Sequence, residues 1–357
     1  MNTHLSLKIK LISFFSMVLV VFIHSYTFEL IVDANQDMVT TTKGFNTFIQ
    51  LYLSFGIARI AVPFFFMLSG FLFFLNFEGS SFDFLTKIKK RVKTVLLPYL
   101  IWSAWGILFY LILQSVPQLA TFFTNKLVKD YSLSEFLNTL FINPIAPQLW
   151  FLRDLFILVL LTPILYYLVK KSGYVLILLL LIPWAFKISL VIISNEALLF
   201  FTIGAFLSIH KKTIIHKDYS NNAYLLIITW LIIILIKTIL QYQNFEYQLI
   251  TTLIHKLSIL VGIAAIWSCY EKFPKWDEFK SNRLTFILSL SFFLFAFHEP
   301  FLTIYRKIFF FILGKNEIAI FATYFLTPIF TLLSGILLAS FLKKYFTSFY
   351  YIISGGR

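Results

Sequence analysis

Six polar residues stand in apolar surroundings. His24 closes the run ISFFSMVLVVFIHSY (12–26) and Arg59 opens RIAVPFFFMLSGFLFF. Arg153 and Asp154 interrupt PQLWFLRDLF, and His298 and Glu299 end SFFLFAFHEPF. An imidazole can take a proton from a hydroxyl near neutral pH. A cation or a hydrogen-bond donor can hold the oxyanion that such chemistry develops, and a carboxylate can orient the base. Ionisable groups at membrane depth are costly and mark functional sites. A histidine at a helix end can also rest in the lipid interface. Six such residues in the same outer half point instead to one shared polar cavity.

The elements that carry them must lie in lipid. The 357 residues are 59% hydrophobic and 13% charged, with a mean hydropathy of +0.86. A soluble domain averages about 45–50% apolar and about 25% charged. Apolar runs here match membrane helices of about 20 residues, and lack the ten-residue alternation of a barrel. The expected fold is an all-α integral membrane protein of about ten transmembrane helices. They fall near 8–27, 50–76, 95–115, 149–169, 173–190, 194–209, 222–241, 248–270, 284–303 and 319–342. Residues 1–345 form a single transmembrane domain, and 346–357 a short cytoplasmic tail.

A net charge of +14 would point to nucleic acid in a soluble chain. Here most basic residues fall between alternate spans: Lys8 and Lys10, Lys87 to Lys93, Lys170 and Lys171, Lys211 to Lys217, Lys272 to Arg283, and Lys343 to Arg357. Positive residues favour the cytoplasmic side. Both termini are therefore expected in the cytoplasm, with membrane lipids and no nucleic acid as surroundings. Lys8, Lys10 and the run behind them resemble a secretory signal, but Ile23-His24-Ser25-Tyr26 lacks the small-residue cleavage pattern. The run reads as a retained first helix. Cys269 is the single cysteine, so neither an intrachain disulfide nor a zinc site is expected.

Finer features have two readings each. Lys10 lies fourteen residues before His24, within about 40° of its face and ~21 Å below it. The patch KIKKRVKTVLLPYLIWS, with Arg91 at its centre, is a topology signal and also suits donor phosphates. Ser69-Gly70 lets another helix or a ligand approach. Trp150 suits an interfacial anchor. Arg153 and Asp154 diverge by about 100° on a helix, so each is expected to pair with another span. Residues 134–142 read as a surface helix or a plain connector, and Glu29, Asp33 and Asp37 mark the first outer loop. His4, His210, His216 and His255 receive no role.

At these motifs the chain resembles the acyltransferase-3 membrane family, integral membrane enzymes that acetylate bacterial surface sugars. The matching pieces are VLVVFIHS, RIAVPFFFMLSGFLF, KKRVKTVLLPYLIWS, LWFLRDLFIL, LFFTIGAFL and FFLFAFHEPFL, in the family's order over most of the chain. The resemblance implies a bacterial inner-membrane enzyme, acetyl-CoA as donor and co-substrate, and a hydroxyl acceptor on a glycan or lipid-linked sugar, with no metal. It implies that His24 is the base, and it matches Arg59 and His298 to the family's arginine and second histidine. The family usually carries arginine eleven residues before the first histidine. Ser13 stands there, and Lys10 is the nearest cation.

The expected activity is O-acyl transfer, with His24, Arg59 and His298 catalytic. Lys10, Arg91, Trp150, Arg153, Asp154 and Glu299 are expected to bind donor or acceptor. The alternative is a transporter or flippase for a glycan or acylated small molecule, since intramembrane charges also line transport paths.

Overall fold

Backbone groups in lipid must be satisfied within their own segment, and the chain meets that demand with helices. A computed structural model describes residues 3–28, 30–32, 38–40, 43–120, 123, 126–188, 190, 192–272 and 281–356. The chain begins with α1 (Thr3–His24), a hairpin of β1 (Leu30–Val32) and β2 (Met38–Thr40), α2 (Phe45–Ser54), α3 (Ala61–Phe74), α4 (Ser81–Arg91) and α5 (Leu97–Ser115). It continues with α6 (Pro117–Ala120), α7 (Leu133–Phe141), α8 (Trp150–Leu160), α9 (Thr162–Ala185), α10 (Asn195–His210) and α11 (Lys212–His216). The last elements are α12 (Ala223–Tyr242), α13 (Gln248–Cys269), α14 (Asn282–Ser289), α15 (Ser291–Leu313), α16 (Glu317–Tyr345) and α17 (Thr347–Ile353). The hairpin is antiparallel, with Ile31 opposite Val39. Glu29, Asp33 and Asp37 of that loop lie outside the described residues.

Among the described residues seven helices are long and apolar enough to cross a membrane, or eight if the bent pair α14–α15 is one span. The all-helical, many-span architecture is the one expected. Five of the ten expected segments are not single long helices: 50–76 breaks after α2 and 284–303 is the bent pair α14–α15. The 149–169 segment joins α8 to the start of α9 at Leu161, where Pro163 starts a new helix. α9 then breaks at Ser172 (φ −148°, ψ 41°), so 173–185 forms a second piece. α10 has only 16 residues.

The inner bundle is α1, α3, α10 and the first half of α15. Residues Phe292 to Pro300 of α15 are all buried. Around it α9, α12, α13 and α16 turn Leu178, Ile182, Leu225, Ile228, Leu253 and Leu337 outward. An apolar face this extensive is solvated by lipid, not water. α3 and α10 pack closely, through a reciprocal glycine contact. A Cβ on Gly70 would meet the Phe201 carbonyl, and one on Gly204 would meet the Met67 carbonyl. The close approach expected at Ser69-Gly70 is thus a helix contact.

α7 coincides with the surface helix read at 134–142. Ser132 and Glu135 form its capping box, and Lys126 pairs with Glu135 at 2.7 Å. Lys126, with the Ser132 backbone and hydroxyl, draws the Glu135 carboxyl down to about 2. After α16 the chain folds back as α17. Trp102 Nε1 donates to the Ile353 carbonyl at 3.0 Å, and Tyr350 and Ile353 are buried.

Gly70→Ala and Gly204→Ala should each destabilise the bundle by about 1–3 kcal/mol, the usual cost of overpacking. Gly106→Ala, where the nearest neighbour to a new Cβ is Ile145 at 3.8 Å, should cost nothing measurable. Thermal unfolding of the three variants in one detergent checks this.

Candidate active site

α1 ends at His24, and its final carbonyls would be orphans in lipid. Side chains from other segments take them. Ser25 and Ser54 hydroxyls both donate to the Phe22 carbonyl, at 3.0 and 2.6 Å. Arg306 Nη1 donates to the carbonyls of His24 (3.4 Å) and Tyr26 (2.8 Å). Ser54 also shares a 2.8 Å hydrogen bond with the Tyr324 hydroxyl. α2, α15 and α16 therefore all grip the end of α1 that carries His24.

The partner histidine sits at a break. Glu299 leaves helical geometry (φ −103°, ψ 134°), and the Glu299–Pro300 bond is cis. Pro300 has no N–H for the Ala296 carbonyl. Gln148 Nε2 replaces it at 3.1 Å and also reaches the Glu299 carbonyl at 3.4 Å. Just before the break His298 is fully buried, with Nδ1 2.7 Å from the Phe295 carbonyl. A carbonyl only accepts, so Nδ1 carries the proton. His298 Nε2 is buried without a partner. The rings of His24 and His298 lie 5.4 Å apart at 39°.

His24 opens onto a cavity of about 490 Å³ shared with Tyr26, Tyr110, Glu299, Thr303 and Arg306. Thr303 donates to Glu299 at 3.0 Å, and Arg306 Nη2 donates to Thr303 at 3.4 Å. A second cavity of about 500 Å³ lies toward the start of α1, lined by Lys10, Ser13, Ser69, Phe65, Phe151 and Phe295, among others. Ser13 is eleven residues, ~16 Å, from His24 along the helix. Phe65, Phe151 and Phe295 pack with centroids 5.5 to 6.3 Å apart, and Phe295 stands 6.0 Å from the His298 ring. The two cavities thus approach each other at Phe295 and the histidine pair.

The expected single cavity is divided. Arg59 does not line the histidine cavity. Its span breaks after α2 at Phe55-Gly56, and a 3-10 turn (Ile57–Ile60) sets the guanidinium over the Phe55 ring at 4.6 Å. It lines a third cavity of about 490 Å³ with Lys237 and His255. Arg153 and Asp154 line none of these three cavities. Asp154 does find the partner expected on another span, but the two also pair with each other, which corrects the expectation for Arg153. Arg153 Nε and Nη2 both donate to Asp154 Oδ1, at 2.9 and 2.8 Å. The long arginine side chain folds back across the 100° that separates the two positions. Asp154 Oδ2 also accepts from the Ser194 backbone N–H at 3.0 Å, and Arg153 Nη1 donates to the Ile142 carbonyl at 2.6 Å. This clamp ties α8 to the start of α10.

Trp150 packs on Phe66 at 6.0 Å. Arg91 ends α4, and a π turn (Val92–Leu96) follows, from which Val95 lines the second cavity. Lys87 of the same patch closes α3, donating to the carbonyls of Phe73 (2.5 Å) and Leu75 (3.1 Å). Lys8, read as a loop cation, is fully buried against Trp267 and pairs with Glu271 at 2.5 Å.

Arg306, Gln148 and Lys237 are not singled out by the sequence, and His255 receives no role there. A signal existed for Arg306: Glu299, Thr303 and Arg306 recur at i, i+4 and i+7, one helix face. No group of three or more His, Cys, Asp and Glu converges as a metal site among the described residues.

A family model described as an acyltransferase domain matches residues 8–325. The "Succinoglycan biosynthesis protein ExoH" of Rhizobium meliloti (strain 1021) is 27% identical over 273 residues, 74% of this chain and 71% of the relative. No solved structure matches the chain significantly.

Asp154→Ala should cost about 3–5 kcal/mol, because Arg153 and the Ser194 N–H lose a buried acceptor. Glu299→Gln, which can still accept from Thr303, should stay within about 1 kcal/mol of the parent. Thermal or denaturant unfolding measures both. An unchanged Asp154→Ala would contradict the clamp.

Proposed function

The chain belongs to the acyltransferase domain family, and from that premise we propose an O-acyltransferase. It moves acetyl from acetyl-CoA to a hydroxyl of a cell-surface glycan or its lipid-linked precursor. The chain is a multi-pass, all-α membrane protein, proposed to cross a bacterial inner membrane ten times with both termini in the cytoplasm. One observation carries the reading. A polar cavity and a largely apolar cavity approach from opposite ends and nearly meet at His24 and His298. That arrangement suits a donor arriving from one side and an acceptor from the other.

In this reading Lys10 and Arg91 hold the donor's phosphates, and its acyl arm runs past Ser13 toward Phe295. The acceptor hydroxyl lies in the His24 cavity. His24 takes the hydroxyl proton as the oxygen bonds to the thioester carbonyl carbon. The carbonyl oxygen carries the negative charge until the C–S bond breaks, and the thiol leaves with the proton from His24. No serine is required as a nucleophile. Arg306 fixes His24 through its carbonyl and supplies positive charge to the oxyanion. His298, with its proton held on Nδ1, presents an Nε2 lone pair beside the His24 ring and orients it. Arg59, across Phe55 from this cavity, acts on the acceptor and not on the acyl carbonyl. Trp150, Arg153 and Asp154 belong to the frame.

Ser13 lines the donor cavity where the family carries arginine, which leaves Lys10 as the cation on that stretch of α1. Lys10→Gln should therefore raise KM for acetyl-CoA with little change in kcat. His24→Ala should lower acyl transfer by about 10²–10⁴-fold, and Arg306→Gln should lower kcat by about 10²-fold, both with normal membrane insertion. Acetyl-CoA turnover by purified protein, and mass analysis of surface glycans with and without the gene product, measure these effects. Undiminished acylation by His24→Ala would sink the proposed base.

A further inference from the structure

The third cavity has a chemistry that acyl transfer does not by itself require. It holds about 490 Å³ beside Arg59, Lys187, Lys237 and His255, and the acidic residue among its lining residues is Glu246, exposed at the rim. Lys237 is only 5% exposed. Its ammonium donates to the Phe55 carbonyl, freed by the break at Gly56, and this uses one of three N–H groups. His255 Nδ1 and Gln241 Oε1 are buried without partners. The Glu196 carboxylate is engaged by Trp184 at 3.2 Å and Lys256 at 3.8 Å. Like charges gathered in a low-dielectric site repel unless a counter-charge enters. Guanidinium, ammonium and imidazole together make a receptor for an oxyanion.

Its position suggests whose oxyanion. Phe55 forms the wall between this cavity and the histidine cavity. It packs on Tyr26 at 5.2 Å and Phe28 at 5.9 Å, and under Arg59 at 4.6 Å. Phe55 lines this cavity and its ring partners Tyr26 and Phe28 line the histidine cavity, so the two cavities are neighbours. We propose that this cavity binds an oxyanion group of the acceptor and so sets an acceptor hydroxyl at His24. The group is either the diphosphate of a lipid-linked sugar or the carboxylate of an acidic sugar. The assignment to the acceptor rests on the acyl-transfer reading; oxyanion binding does not.

The test uses the purified full chain in neutral detergent at constant ionic strength, without acyl donor. Geranyl diphosphate, methyl glucuronide and, as neutral control, geraniol are titrated while the thermal unfolding midpoint is read. At least one anion should bind saturably and geraniol should not reproduce it. Lys237→Met and the rim variant Lys187→Gln should each weaken that binding about tenfold or more, the loss of one charged hydrogen bond. Preference for the diphosphate assigns the lipid carrier, preference for the carboxylate assigns an acidic sugar, and binding of both assigns a general oxyanion site. Binding of neither anion, or affinity unchanged from the parent in both variants, overturns the proposal. Lys187 is exposed, so its variant reports even if Lys237→Met does not fold. Since no acyl transfer is measured, failure here leaves the acyltransferase reading intact, and failure of that reading leaves anion binding measurable.

Discussion

A helix that ends inside lipid leaves carbonyls with no water to meet them. That constraint governs the end of α1. Ser25, Ser54 and Arg306 answer it, and the answer fixes the His24 backbone to α2, α15 and α16. Without that grip the two histidine rings would have no reason to stay 5.4 Å apart. Positioning here is paid for by satisfying the backbone, and the chemistry is placed as a consequence.

The same logic explains two of the broken helices. Pro300 removes one N–H from α15, and Gln148 fills the vacancy from the segment before α8. The break after α2 frees the Phe55 carbonyl, and Lys237 fills that one from α12. Lys237 thereby reaches the third cavity, whereas Gln148 stays buried at the α15 break. Discontinuous helices of this kind also occur in transporters. In this chain they border the histidine cavity and the third cavity across Phe55, and the family assignment favours acyl transfer over transport.

Much of this could be read before the structure. Charged and imidazole groups in apolar runs are rare enough to be conspicuous, so His24, Arg59, His298 and Glu299 stood out. Helical periodicity gives direction but not reach. It therefore missed that Arg153 folds back onto Asp154, and that Lys8 turns inward to Glu271. Lys237, one polar residue near the end of an apolar helix, reads as interfacial, and His255 lacks the polar context that His24 and His298 have. Only the break at Gly56, which apolar composition does not announce, shows what Lys237 meets. The division of the polar residues between two cavities depends on that same break.

In the proposed reaction donor and acceptor reach the histidine pair from opposite ends, with Phe295 at the junction. Single-turnover acetyl transfer by Phe295→Trp, alongside acetyl-CoA binding by the same variant, tests this route directly. A larger ring at the junction should abolish transfer while the donor still binds from the Lys10 side. Transfer at the parental rate with the junction filled would mean that the acyl group takes another route.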